Sequence, residues 1–380
     1  MDVYKKLTTK FFKINISFIV LFTILLFIYD PLYLYHKSWI DKNERLHSDM
    51  RIQGAGVINN YDFDSIILGS SMLMGMSSKQ ADKYIGGNFV NLSASGISIF
   101  ERKFLMEYAL NRKSIKKIII SMDTGLGQNL IKSNKKFPIS KFDFLYDNSS
   151  LNDIKAYWNY KFMSCLLFFS KSSNCLGIKR KLKRENSWFD IKYEKNKKIS
   201  GIQGWLDNKG RAPFIARHIN KIIKKTIKNN SQFNDQLKKS IEIVDESIIY
   251  YVKSYQSKDF IVIFPPYSRL YYSILKNKDP LSYKLYIETV KYLVHESEKY
   301  SNLEIYSFDD NDYLDDINNY RDLRHYNFDM YEIMTRKIAE KKSLITTKNF
   351  KNFMKKVDIK NTNYEFETEM NAVLESKGIQ

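Results

Sequence analysis

Five short apolar runs constrain this chain more than any other feature: residues 65–69, 88–92, 117–122, 259–264 and 303–307. Each is five or six residues long and rich in Ile, Val, Leu and Phe. Runs of that length and composition read as buried strands. Between and after them, apolar residues recur at helical spacing over 77–84, 99–110, 235–255, 280–298 and 327–339. Ser77 or Ser78 suits the cap of the first of these helices. Strands alternating with helices imply right-handed βαβ units and a parallel sheet covered on both faces. In such a sheet the loops at the carboxyl ends of the strands gather along one edge, where sites form. Ser71, Gly96, Asp123, Pro265 and His325 all lie at or just after those ends.

The regions outside this alternation set the domain plan. Residues 11–29 are almost wholly apolar, interrupted by Lys13, Asn15, Ser17 and Thr23, and 11–30 reads as an anchor of the length that suits a helix crossing a bilayer. Lys5, Lys6, Lys10 and Lys13 lie at or before its start and Asp30 at its end. By the positive-inside rule residues 1–10 stay in the cytoplasm and the rest of the chain lies outside. A cleaved signal peptide is the competing reading, but Tyr29-Asp30-Pro31-Leu32-Tyr33 offers no small-residue cleavage site. Residues 31–60 read as a polar, partly helical stalk, and 61–340 as the α/β domain. Residues 126–232 interrupt that domain as an insertion of mixed helices and loops carrying Trp158, Trp188 and Trp205. Residues 341–380 read as a polar helical appendage.

The formal charge is +19, but the basic residues are spread along the chain with no arginine-rich arm. Nucleic acid is therefore not an expected partner. No Walker A loop or complete Gly-x-Gly-x-x-Gly occurs, so nucleotide binding has no support. The histidines form no metal-spacing pattern, and the acidic run 309–316 lacks the glycine and terminal glutamate of an EF-hand. No metal or organic cofactor is expected. Cys165 and Cys175 are the only cysteines. They exclude a disulfide scaffold and leave two readings open: one bridge in an oxidising compartment, or two buried thiols.

Chemistry concentrates in two places. Ile66-Ile67-Leu68-Gly69-Ser70-Ser71 presents hydroxyls at the end of the first strand, and Asp322-Leu323-Arg324-His325 follows the last. A serine hydroxyl needs a base to take its proton, and histidine is suited to that near neutrality. A carboxylate three residues before the histidine can hold its tautomer. The plainer alternatives are that Ser70 and Ser71 cap the next helix, and that His325 and Asp322 are a packing residue and a surface charge.

Gly69-Ser70-Ser71 resembles the first block, Gly-Asp-Ser, of the SGNH (GDSL) hydrolase superfamily. It is also similar to membrane-anchored relatives serving cell-envelope acylation, such as the D-alanine transfer protein of teichoic acid systems and alginate O-acetylation proteins. The resemblance implies a flavodoxin-like three-layer α/β sandwich. It maps the nucleophile to Ser71, an oxyanion glycine to Gly96 in Asn91-Leu92-Ser93-Ala94-Ser95-Gly96, and the Asp-x-x-His block to Asp322 and His325. The usual third block, Gly-x-Asn-Asp, is absent. Ser121-Met122-Asp123-Thr124-Gly125 stands there instead, so the asparagine's place in the oxyanion hole falls to Asn91 or a backbone N–H. Ser70, Asp123 and Tyr326 are expected to line the pocket. The implied work is adding or removing an O-acetyl group on a cell-envelope polysaccharide, outside a bacterial cytoplasmic membrane. For a transferase, the acyl donor would come from a separate multi-spanning membrane acyltransferase. A general esterase or lipase, and a non-catalytic envelope glycan-binding or assembly protein, are the rival readings.

Overall fold

The computed structural model describes residues 2–41, 43–47, 49–122, 139–179, 182–183, 199–208, 210–224, 227 and 229–375. The chain divides into two compact units. One comprises Met1–Asp62, Phe104–Lys113 and Phe137–Lys181, the other Phe63–Lys103, Ser114–Lys136 and Leu182–Gln380.

The second unit is mixed α/β and is built on a six-stranded sheet. Its strands are β1 (Ser65–Leu68), β2 (Phe89–Asn91), β3 (Lys117–Ser121), β4 (Asp259–Phe264), β5 (Leu303–Ser307) and β6 (Leu344–Ile345). They lie in the order β2-β1-β3-β4-β5-β6. The first five are parallel, with Ile66 beside Val90 and Ile118, and Ile261 beside Ile119. Ile66, Ile67, Leu68, Ile118, Ile119, Val262 and Ile263 are fully buried. Successive residues, which point to opposite faces, are thus equally enclosed, the burial a covered parallel sheet requires. The order reverses between β1 and β3, and the carboxyl ends of strands at such a reversal are the usual ligand position in open α/β sheets.

The helices follow the expected periods closely. Ser77 caps Ser78–Tyr84 by accepting the Gln80 N–H. Ile99–Arg112, Pro280–Lys299 and Asp329–Ala339 form where apolar spacing predicts them. The expected long helix at 235–255 is Asn230–Val244, a wider turn at Asp245–Ile249, then Tyr250–Ser254.

Two boundaries differ from expectation. The described part of residues 341–380 is not an appendage: β6 pairs antiparallel with β5, and the Thr347–Asn363 helix inserts Asn361 into the core. Asn361 is fully buried, accepting from Arg269 Nη1 (2.9 Å) and donating to Tyr283 Oη (2.8 Å). Arg269, also fully buried, donates Nε to Asp315 at 2.7 Å. Buried polar contacts, as well as the buried Val357, seat this helix, so a count of apolar residues underrates it.

Residues 31–60 are not a stalk. In the first unit Leu32, Tyr33 and Leu34 are buried, as is most of Met50–Ile58 in the Met50–Asn60 helix. The Gln53 amide donates to Leu32 O at 2.6 Å, tying the two stretches together. The same unit contains the Asp2–Tyr29 helix, whose Val3–Tyr29 stretch is long and apolar enough to cross a membrane. It also holds a two-stranded ribbon, Arg45–Leu46 with Ile178–Lys179, and a Cys165–Cys175 disulfide. The bridged reading of the two cysteines is the one observed.

Candidate active site

Ser71, Asp322 and His325 meet in the second unit at the carboxyl edge of the sheet. Ser71 Oγ lies 2.8 Å from His325 Nε2. His325 Nδ1 lies 2.9 Å from both Asp322 carboxylate oxygens. With Nδ1–H turned to the carboxylate, Nε2 remains as the acceptor for the Ser71 hydroxyl. Asp322 Oδ1 also accepts the N–H groups of Arg324 and His325, each at 3.0 Å. Burial by itself would raise this carboxyl. The His325 charge and these hydrogen bonds outweigh burial and hold Asp322 well below the usual carboxylate range. Exposure is graded: the Asp322 side chain is 8% exposed and His325 24%. A nearly enclosed carboxylate thus lies behind an imidazole that solvent can reach.

Each loop is held by identifiable contacts. After β1 the chain turns tightly through residues 71–75. Gly75 permits that turn to lie against Tyr331, because a Cβ there would fall 2.1 Å from the ring. Tyr331 Oη donates to Ser71 O at 3.4 Å, and Tyr326 Oη to Met72 O. Tyr326 is therefore a buried brace of the serine turn, not the expected pocket-lining group. The Asp322–His325 loop closes on itself by Arg321 N–H to His325 O (2.8 Å). The Ser268 side chain clamps it from outside by donating to Leu323 O (2.7 Å). Trp205 Nε1, in the expected insertion, donates to Tyr320 O at 3.1 Å.

Asn91 requires a correction. Its amide donates to Leu73 O and Met76 O, both at 2.8 Å, and its oxygen accepts the Ser93 N–H. Both donors are spent on the serine turn, so the side chain does not supply an oxyanion donor here. The backbone remains. Among the described residues, neither the Ser71 nor the Gly96 N–H makes a hydrogen bond. Gly96 stands at φ +62°, a left-handed conformation natural to glycine. Its loop runs beside the serine strand through Leu92 N–H to Ile67 O (2.9 Å) and Ala94 N–H to Gly69 O (3.1 Å). Ser70 Oγ accepts the Met72 N–H at 3.3 Å, so Ser70 steadies the turn. Asp123 lies outside the described residues.

The sequence reading missed one side of the site. Arg211 Nη1 lies 3.7 Å from Asp322 Oδ2, and His218 interacts electrostatically with Arg324, Asp322 and His325. Both lie on the Arg211–Lys224 helix, within the expected insertion. Burial lowers the His218 pKa to about 4, and the neighbouring Arg324 charge adds to the effect. This second imidazole is therefore neutral near pH 7 and adds no positive charge beside His325. The available signal was the spacing of Arg211, Phe214 and His218, which shares one helical face. The Phe214 and His218 rings meet edge-on at 4.3 Å.

A Ser-His-Asp relay beside the Ser71 and Gly96 N–H groups can support nucleophilic acyl chemistry. No family model matches this chain, and no curated protein matches it in sequence.

Proposed function

We propose that this protein is a membrane-anchored serine enzyme that transfers an O-acyl group, in the first instance acetyl, to or from a cell-envelope polysaccharide. The carrying observation is the relay itself: Ser71 Oγ to His325 Nε2 at 2.8 Å, and His325 Nδ1 to Asp322 at 2.9 Å. His325 takes the Ser71 proton as Oγ attacks the ester carbonyl. Asp322 stabilises the resulting imidazolium. The Ser71 and Gly96 N–H groups bind the developing oxyanion, each donor contributing roughly 3–4 kcal/mol. His325 then returns the proton to the leaving alkoxide, leaving an acyl group on Ser71. A water or a glycan hydroxyl, deprotonated in turn by His325, removes it.

Three further features support this reading. The five parallel strands follow the 2-1-3-4-5 order of flavodoxin-like sheets, the arrangement the SGNH resemblance implies. A disulfide at Cys165–Cys175 suits an oxidising compartment, hence a domain outside the cytoplasmic membrane. The apolar N-terminal helix preceded by lysines suits a single-pass anchor with its N-terminus inside. The polysaccharide, and a multi-spanning acyltransferase as donor, follow from the resemblance alone.

The test is acylation of the full chain in detergent by an activated acetyl ester. The expected result is a hydroxylamine-labile acetyl adduct that peptide mapping assigns to Ser71 and that an acetyl-accepting oligosaccharide discharges. An adduct on another residue, or turnover unchanged in Ser71→Ala, would overturn the assignment.

A further inference from the structure

Large apolar side chains are exposed very unevenly. Among the described residues outside the Asp2–Tyr29 helix, the first unit exposes Trp39, Leu151, Trp158, Tyr160, Leu167, Phe168, Phe169 and Ile178. Among its own described residues, the larger second unit exposes only Phe214, Tyr250 and Ile359.

Several of the first set gather round one end of the apolar helix. Trp158 packs edge-on against Phe22 at 6.2 Å, Phe169 against Tyr29 at 5.9 Å, and Trp39 against Phe27 at 6.0 Å. Tyr29 Oη donates to Ser170 O at 2.5 Å, fixing the helix end to the same loop. That loop is the one closed by Cys165–Cys175, and its tip is Leu167-Phe168-Phe169. Phe168 is 82% and Leu167 71% exposed. Phe169 stands at φ +42°, a conformation unfavourable for a bulky residue. A stapled loop that holds three large apolar side chains outward is poorly suited to water.

The helix supplies a ruler. Its last basic residue is Lys13, and residues 14–29 carry no charged side chain. A bilayer core of about 30 Å takes about 20 helical residues. With Lys10 and Lys13 at one headgroup layer, the helix end at Tyr29 falls near the opposite boundary, well beyond Phe22. The rings packed on Phe22, Phe27 and Tyr29 then lie at the depth of the far leaflet. Residues 3–20 of the helix are exposed throughout, whereas Leu26 and Tyr29 are buried against the unit.

We infer that the first unit is a membrane-docking platform, with Trp39, Trp158 and the Leu167–Phe169 tip immersed in the leaflet into which the helix emerges. The occupant of the patch is lipid. The inference rests on the helix being a transmembrane anchor.

The test uses the full chain in phosphatidylcholine vesicles with or without brominated acyl chains, which quench tryptophan at hydrocarbon depth. Retention by the vesicles in alkaline carbonate reports on the anchor separately. The expected result is a carbonate-resistant chain whose emission falls in brominated vesicles. That fall should be lost in the Trp39→Phe/Trp158→Phe double variant and lessened in Phe168→Asp, a change at an exposed position. An anchored chain showing no quenching, or equal quenching in the double variant, would overturn the platform and assign the patch to a protein partner. Extraction by carbonate would overturn the anchor and the platform with it.

Discussion

Both units bury hydrogen-bonded tyrosines, but the first also turns a set of large aromatic rings outward around its apolar helix. In the second, Tyr272, Tyr286, Tyr320 and Tyr326 are buried, and each hydroxyl is spent on a named acceptor. Tyr272 and Tyr286 donate to Asp309, Tyr320 to Pro266 O, and Tyr326 to Met72 O. In the first, Trp39, Trp158, Phe168 and Phe169 are turned outward around an apolar helix. One set fixes loop geometry, which acyl chemistry requires to within a fraction of an ångström. The other set presents apolar area, which only an apolar neighbour rewards. On the proposed reading, precision and attachment belong to different parts of the chain, and changes in each should register in different measurements.

The largest expected effect separates the two outright. Ser71→Ala should lower acyl turnover by roughly 10⁴-fold or more, while leaving vesicle retention untouched. Asp322→Asn should come close behind, at about 10⁴-fold, because the amide favours the wrong imidazole tautomer. Steady-state kinetics on vesicle-bound protein would check both, and a loss below tenfold would break the division of labour.

Asn91→Ala sharpens the comparison within the second unit. It strips Leu73 O and Met76 O of buried donors, so it should destabilise the unit by about 1–3 kcal/mol per carbonyl. Chemical denaturation would read this. Activity lost at full stability would instead return Asn91 to the oxyanion hole. Tyr326→Phe removes one donor from the same turn and should act more mildly. It should lower kcat with little change in KM, since the tyrosine positions Ser71 without reaching the substrate.

The smallest effect is in pH dependence. His218 has a folded pKa of about 4 against an ordinary value of about 6.5. Between those values the unfolded chain binds the proton more readily, so stability falls as pH drops through that window and is complete above it. His218→Gln should flatten denaturation midpoints between about pH 6.5 and 4. An unchanged slope would show that His218 is not held neutral by burial.

The strand-and-helix rhythm was legible because buried parallel strands are apolar on both faces. Asp259–Phe264 and Leu303–Ser307 appear where the composition places them. The approach of Ser71, Asp322 and His325 was legible because βα topology brings strand ends together whatever their separation in the chain. Three features were not legible. Asn361 and Arg269 form a polar contact inside the core, which apolar periodicity does not register. Arg211 and His218 reach the site from a segment lacking the sheet's rhythm. Asn91 has the right chemistry for an oxyanion donor, but local hydrogen bonding commits both its donors to Leu73 and Met76. Residue type and spacing indicate what a side chain is capable of, whereas its partners decide what it does.

The proposed role of Ser71 as an activated nucleophile is read by labelling the full chain with a fluorophosphonate probe and measuring intact mass. One adduct is expected on wild type, kept in Ser70→Ala and lost in both Ser71→Ala and His325→Ala. A folded wild-type chain that takes no label, or label that persists without Ser71, would contradict it.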